Sequence, residues 1–266
     1  MRKIGIILDT TIDKFQATHI FKDASNVSLF FIKDANDTSF NTDQSIKVSP
    51  KAYIEIIKQA TNQDCKEILI LTSSQKLTPF YENAQLAKDI LSDVSIDIID
   101  SKSFGPGILY VLMCMKLWNN FNYSYQKMKA LLTIQIDKGA TLVVTKNNTF
   151  MQNSTRINKL LKPLVKGYIL SSDTNYHIDK VIYNSKKVLN DLYLKVMGHK
   201  GFNEHVSVFV YSSLDTSKAK LLQHELYTKN KDLDIRLYGR VSQELMTLFG
   251  KEAFGIYIGY YEEAVI

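Results

Sequence analysis

The chain has 266 residues, of which 45% are hydrophobic and 23% are charged. Those values are ordinary for a globular protein, and the length gives room for one large domain or two small ones. The formal net charge is +6, but the lysines are scattered among acidic residues and form no dense basic run. Nucleic-acid binding needs basic residues clustered on one face with interleaved aromatic residues. We therefore expect no nucleic-acid partner.

Cysteine and histidine are placed in ways that argue against a metal site. The two cysteines, Cys65 and Cys114, lie far apart, and the five histidines form neither an HxH motif nor a pair four residues apart. That spacing suits neither zinc nor a disulfide scaffold. The chain begins without the apolar segment of a signal peptide, and its longest apolar run, residues 108–118, is about half of what a bilayer requires. We expect a cytoplasmic protein that holds no metal and no cofactor.

In chain order, the first half alternates between short apolar runs and helical patterns. Apolar runs bounded by polar residues predict strands at residues 3–8, 27–32, 68–71 and 94–99. Apolar periodicity predicts helices at residues 50–60, from 79 onward, at 108–118 and at 123–134. Asp13 and Ser49 are candidate N-caps, and Pro50 is well suited to open a helix. Strands that alternate with helices in this way predict a doubly wound parallel sheet.

Two segments of this half have more than one interpretation. The predicted helix at 108–118 is apolar almost all round, which fits either a central core helix or the wall of an apolar cavity. Residues 33–49 are polar and lack apolar periodicity, so they predict a long loop or a lid.

Polar side chains follow three of the predicted strands at the points where those strands end. They are Asp9, Thr10 and Thr11, then Thr72, Ser73 and Ser74, then Asp100 and Ser101. Because the carboxyl ends of parallel strands meet at one edge of a sheet, we expect these groups to converge there, where open α/β sheets bind ligands. Thr78 and Pro79 lead from the middle strand into a helix, and hydroxyls beside a helix N-terminus favour an anion. The alternative to a binding site is that this stretch is an ordinary strand–turn–helix whose helix is capped by a serine or a threonine.

The second half mixes strands with helices in the manner of an α+β domain. Strands are predicted at residues 141–145, 166–170, 177–183, 205–210, 234–238 and 254–260, and helices at 156–161, 186–197 and 216–227. We therefore predict two domains: an N-terminal α/β domain with a parallel sheet, residues 1–145, and a C-terminal α+β domain with a mostly antiparallel sheet, residues 146–266.

At several of these places the chain resembles the DegV family of fatty-acid-binding proteins, the lipid-carrying subunits of bacterial fatty acid kinases. Residues 8–13 resemble the family's opening TDS-T-x-D motif, and residues 45–50 resemble TSxPSP with Ser45 for the leading threonine. Residues 73–84 resemble SSxLSGTYxxA, with LTPFY replacing the LSGTY core. Residues 100–107 resemble a DSK motif followed by glycines, and residues 156–157 and 162–163 stand where the family has GGRI and KP.

The C-terminal motif is similar in part. Gly250, Ala253 and Gly255 resemble the family's terminal GPGALG, but Leu248 stands where the family has a histidine. Ser154 and Thr155 replace the two glycines ahead of Arg156, and the segment before Ser45 is shorter than in the family.

The resemblance implies a function and a set of ligand-binding residues. A long-chain fatty acid would lie in a buried apolar tunnel, and a fatty acid kinase catalytic subunit would phosphorylate its carboxylate in phospholipid metabolism, with transient contact to a membrane surface. The resemblance assigns head-group contacts to Ser45 and Thr78. Arg156 would add a charge-assisted bond or organise the loop around it, and the neighbouring hydroxyls are further candidate ligands: Ser73, Ser74 and Thr10.

The chain itself shows no nucleophile–base pair, so we expect a carrier rather than an enzyme. Two alternatives stay open. In one, the protein has lost the lipid and serves as a scaffold or interaction protein, which Leu248, Pro79 and the short segment before Ser45 favour. In the other, the polar strand ends bind a small molecule and the protein is an enzyme, against which the lack of a GxGxxG or GKT/S loop weighs.

Overall fold

A computed structural model of the protein describes residues 3–32, 48–91, 94–147, 164–172, 176–199 and 205–261. The chain divides into two compact units, Met1–Asp137 and Lys138–Ile266. Most of the predicted loop at 33–49 and the predicted helix at 156–161 lie outside the described residues.

The first unit is built on a four-stranded parallel sheet in the order β2-β1-β3-β4. Its strands are β1 Ile4–Leu8, β2 Val27–Phe31, β3 Glu67–Thr72 and β4 Ile96–Asp100. Its helices are α1 Lys14–Ile20, α2 Pro50–Asn62, α3 Phe80–Ile90, α4 Gly105–Asn120 and α5 Tyr125–Lys138. The parallel sheet predicted for this half of the chain is confirmed.

Both faces of this sheet are covered, which explains why its central strands are continuous apolar runs. Every residue of β1 is buried, as are the last five of β3. Ile7, Ile68 and Ile70 pack in one core with side chains of α2 and α3. Since strand side chains alternate between faces, the buried Leu69 and Leu71 lie on the opposite face.

Helix α4 is buried along most of its length, as its all-round apolar pattern predicts. It begins at Gly105, three residues before the predicted start, and Phe104 occupies the N-cap position. Tyr110 and Leu112 are fully buried, and the chain's one tryptophan, Trp118, is 4% exposed. The helix therefore forms part of the packed interior of the first unit.

The second unit contains a six-stranded sheet in the order β7-β6-β5-β10-β8-β9. Its strands are β5 Ala140–Thr145, β6 Gly167–Ser171, β7 His177–Ile182, β8 His205–Ser212, β9 Asp234–Arg240 and β10 Phe254–Tyr261. All neighbouring strands are antiparallel except β8 and β9, which are parallel. A mostly antiparallel sheet was predicted for this half, and the structure confirms it.

Helices cover one face of the second sheet. They are α6 Val188–His199 and α7 Thr216–Lys229, and the unit also contains α8 Gln243–Phe249. Leu192 and Val196 of α6 share a core with Leu222 of α7 and with alternate residues of the central strands, such as Val208 and Ile256. The intervening side chains are buried as well, such as Phe209 and Tyr211 of β8 and Tyr257 of β10, so the central strands of this sheet are buried on both faces.

The structure differs from the sequence-based expectations at three places. The division between units falls after Asp137, earlier than the predicted boundary at 145, because β5 pairs with β6 and β10 in the second sheet. Helix α8 was not predicted; its seven residues are too few to show clear periodicity. Ser49 occupies the N-cap position of α2, but its side chain makes no capping hydrogen bond.

Candidate functional site

Asp9 is the centre of the polar cluster at the ends of β1 and β3. Its carboxylate, 1% exposed, accepts hydrogen bonds from the Thr11 amide (2.9 Å) and the Thr11 hydroxyl (2.7 Å). It also accepts a hydrogen bond from the Ser73 amide at 2.5 Å. Leu8 and Leu71 are partners in the parallel register, so the residues that follow each strand meet. Asp9 thus ties the two turns together.

The electrostatic setting of Asp9 follows from its burial. Burial raises the pKa of the Asp9 carboxyl above its usual range, and the hydrogen bonds from Ser73 and Thr11 oppose that rise. Because these donors already occupy both carboxylate oxygens, Asp9 acts as the organiser of the cluster rather than as a free acceptor.

Ser73 and Thr78 form the second layer of the cluster. Their hydroxyl oxygens lie 2.8 Å apart, and the Thr78 hydroxyl also lies 3.4 Å from the Ser74 carbonyl. The Ser73 amide donates to Asp9, so the contact between the Ser73 and Thr78 hydroxyls links Thr78 to the Asp9 cluster.

The end of β4 completes the edge. The Ser74 amide donates to the Ser103 carbonyl at 2.7 Å, and the Ser101 amide donates to the Thr72 carbonyl at 2.9 Å. Burial raises the pKa of the Asp100 carboxyl, while hydrogen bonds from Lys102 and Gln75 oppose that rise. The three polar strand ends that the sequence placed at one edge do lie together there.

Two hydroxyls at this edge have no hydrogen-bond partner within the part of the chain that the structure describes. They are Thr10 Oγ1 and Tyr53 Oη. Tyr53 is fully buried in α2, and burial, then the negative charge of Asp9, raise the pKa of its hydroxyl well above the usual value. The tyrosine hydroxyl is therefore within electrostatic reach of the Asp9 cluster.

The sequence analysis missed Tyr53 as a site residue because it falls on the apolar face of α2, beside Ile56 and Ile57. The available signal was chemical: a tyrosine on a buried apolar face brings a hydroxyl that needs a partner.

Four of the six residues assigned as ligand-binding lie in the first unit, at the strand ends or in the turn before α3. They are Thr10, Ser73, Ser74 and Thr78. The other two, Ser45 and Arg156, lie outside the described residues. Leu248, at the position of the family's histidine, is half-buried in α8, where its carbonyl accepts a hydrogen bond from Asn147 Nδ2 at 2.7 Å.

Two cavities lie away from this edge. A groove of about 350 Å³ in the first unit is lined by residues of α2, by the end of α3 and by Val94. A cavity of about 290 Å³ in the second unit combines an apolar wall with Lys146, Lys166, Lys218 and Glu252. Neither is lined by the strand-end residues.

Within the described residues, no group of three or more His, Cys, Asp or Glu side chains is arranged to hold a metal ion.

None of the helices in the described part of the chain is long and apolar enough to cross a membrane.

Comparison with known proteins identifies relatives of the whole chain. A family model described as "Uncharacterised protein, DegV family" matches residues 20–260. No protein with a curated description matches the chain.

Among solved structures, the chain is similar to a fatty acid binding DegV family protein from Streptococcus agalactiae, with 15% identity and a TM-score of 0.74 over 98% of this chain and 100% of that one. A Thermotoga maritima protein whose structure reveals a fatty acid binding function has 13% identity and a TM-score of 0.77 over 98% and 100%. The Streptococcus pneumoniae fatty acid kinase (Fak) B3 protein loaded with linoleic acid has 17% identity and a TM-score of 0.69 over 97% and 99%.

Proposed function

The chain belongs to the DegV family, and from that premise we propose that it binds a long-chain fatty acid and presents the carboxylate to a partner kinase for acyl-phosphate formation. The observation that carries the proposal is the convergence of hydroxyl groups at the ends of β1 and β3, where Thr10, Ser73, Ser74 and Thr78 lie together. The fatty acids bound by the structural neighbours support the choice of ligand.

The proposed head-group site supplies what a carboxylate needs on leaving water. An unpaired buried carboxylate is very costly, so its oxygens must receive hydrogen bonds. Thr78 is placed to donate to a ligand instead, because the hydrogen bond from its hydroxyl to the Ser74 carbonyl is long at 3.4 Å. The contacts proposed for Ser45 and Arg156 rest on the resemblance to family motifs.

The tail would supply most of the affinity. Burying a methylene group contributes roughly 0.8 kcal/mol, so an enclosed apolar tunnel binds a long acyl chain without further polar contacts. The hydroxyl cluster would then fix the position of the head group rather than the overall affinity.

We assign the chemistry to a separate kinase subunit and a carrier role to this chain. The Ser73 and Thr78 hydroxyls bond to each other, and Thr78 also donates to a backbone carbonyl, which suits binding better than nucleophilic attack. The similarity to the fatty acid kinase B3 protein supports a kinase partner. Such a carrier would serve bacterial phospholipid metabolism in the cytoplasm and contact a membrane surface only transiently.

Native mass spectrometry of the purified protein tests the proposal, followed by organic extraction and identification of any bound molecule. We expect one fatty acid per chain, and its identity would report the preferred chain length. A protein that is empty, and that also takes up no added oleic acid, would contradict the proposal. The scaffold function, which Leu248 in place of the family's histidine favours, would then become the better interpretation.

A further inference from the structure

We propose that the hydroxyl of Tyr53 is a ligand for the fatty acid head group, a role that nothing in the family motifs quoted above assigns to this position. The inference rests on the proposed function and extends it, since it names a donor at the same site. The hydroxyls at the strand-end edge differ in whether their protons already have an acceptor.

Most hydroxyls of the cluster already make hydrogen bonds within the protein. Thr11 donates to Asp9 at 2.7 Å, the Ser73 and Thr78 hydroxyls bond to each other at 2.8 Å, and the Thr78 hydroxyl also donates to the Ser74 carbonyl at 3.4 Å. A ligand that recruits one of these groups must break an existing bond. The gain from that exchange is small, because one hydrogen bond replaces another.

Tyr53 differs from these groups. Its side chain is fully buried, and its hydroxyl has no acceptor among the residues that the structure describes. A buried hydroxyl without a partner costs free energy relative to one in water. An incoming carboxylate would relieve that cost without breaking any bond, so the net gain from this contact is larger than from Thr78.

The position of Tyr53 places its hydroxyl beside the cluster. Helix α2 packs on β1 and β2, and Tyr53 shares its core with Ile7 and Phe30 of those strands. The charge of Asp9 acts on the Tyr53 hydroxyl, and Thr10, another hydroxyl without a partner among the described residues, directly follows Asp9 in the chain. Two hydroxyls without an acceptor in the described part of the chain therefore lie near one buried carboxylate.

A neutral donor also suits the charge of this site. A fatty acid carboxylate near Asp9 meets a like charge that is screened by the donors from Thr11 and Ser73. Tyr53 remains protonated there because burial and Asp9 both raise the pKa of its hydroxyl, so it donates a hydrogen bond across the whole range of neutral pH.

The test is the isosteric substitution Tyr53→Phe, which removes only the hydroxyl. Affinity is measured by calorimetric titration with oleic acid and with its methyl ester, which keeps the tail and lacks the carboxylate charge. We expect oleic acid to bind about 10- to 100-fold more weakly, the range for a hydrogen bond to a charged group, while the ester binds as tightly as to the wild type. Thermal unfolding of the ligand-free variant should occur at the same temperature as in the wild type or higher.

Tyr110→Phe is the matched control in the same unit. Tyr110 is also fully buried, but its hydroxyl donates to Gln135 Oε1 at 3.3 Å. This variant should lose stability without ligand and keep the affinity for oleic acid. If Tyr53→Phe instead lowers stability and leaves the affinity unchanged, the hydroxyl has a structural role and the inference is wrong. If the wild type binds neither oleic acid nor its methyl ester, the proposed carrier function is wrong, and the role inferred for Tyr53 is wrong as well.

Discussion

The two sheets of this protein differ in where the carboxyl ends of neighbouring strands lie. In the parallel sheet, β1, β3 and β4 all end at one edge, and the polar residues that follow them bond to one another through Asp9, Ser73 and Ser101. In the second sheet, β5 is antiparallel to β6 and β10, so the end of β5 lies beside the beginnings of its neighbours. Only a parallel sheet brings the polar residues that follow neighbouring strands together at one edge.

The two sheets also depend on different kinds of contact. The parallel edge is held by side-chain hydrogen bonds among residues far apart in sequence. The antiparallel sheet relies on close backbone approach at a glycine: a Cβ on Gly255 would collide with the Leu142 carbonyl and the Tyr211 hydroxyl. Tyr211 already donates to that carbonyl at 2.8 Å. The comparison shows that the motifs of the family resemblance fall on two kinds of feature, a hydrogen-bonded polar edge in one unit and tight backbone packing in the other.

The largest effect is expected for Gly255→Ala in the second sheet. The new methyl group would meet a backbone carbonyl that cannot rotate away, so β5 and β10 must separate, which we expect to lower the free energy of unfolding by about 3 kcal/mol or more. Hydrogen exchange of peptides from β5 and β10 is the measurement. Gly198→Ala in α6 is the matched control, because no atom lies near its added Cβ and alanine favours the helix by roughly 0.5 kcal/mol. Equal exchange in the two variants would contradict the packing role of Gly255.

A smaller but still large effect is expected for Asp9→Ala at the parallel edge. Removing the carboxylate leaves the buried amide of Ser73 and both donors of Thr11 without their acceptor, which should lower the free energy of unfolding by about 2–3 kcal/mol. Urea denaturation followed by the fluorescence of Trp118 measures this, because the chain's one tryptophan is buried in the first unit.

The control for Asp9 is Asp13→Ala, which removes one capping hydrogen bond to the Gln16 amide of α1 and should cost about 1 kcal/mol. If both variants lose the same stability, Asp9 does not organise the edge and the contrast between the two sheets weakens.

The smallest effect is expected for Thr78→Ala, and it concerns affinity. Since Thr78 must give up its bond to Ser73 to reach a ligand, its loss should weaken oleic acid binding by only about five- to tenfold, or roughly 1 kcal/mol. Thr18→Ala, at an exposed position of α1 where the hydroxyl bonds only the Lys14 carbonyl, should leave the affinity unchanged. A calorimetric titration that finds Thr78→Ala weaker than Tyr53→Phe would reverse the ranking of the two donors.

Much of the fold was determined by local sequence pattern. The apolar runs at β1 and β3 have no room for a polar face, so they predict strands buried on both sides. The polar residues that follow β1, β3 and β4 are fixed by their sequence positions, and a parallel sheet brings them to one edge. These features depend on neighbours within a few residues, which is why the sequence alone predicts them.

The tertiary structure decided which of those groups are available to a ligand. The bond between Asp9 and Ser73 joins residues 64 positions apart, and the isolation of the Tyr53 hydroxyl depends on what surrounds it across α2, β1 and β2. No local sequence pattern distinguishes Thr11, whose hydroxyl donates to Asp9, from Thr10, whose hydroxyl has no partner among the described residues. Whether a hydroxyl proton has an acceptor depends on the residues around it in the folded chain, because a proton can bond only to an acceptor that folding places within reach.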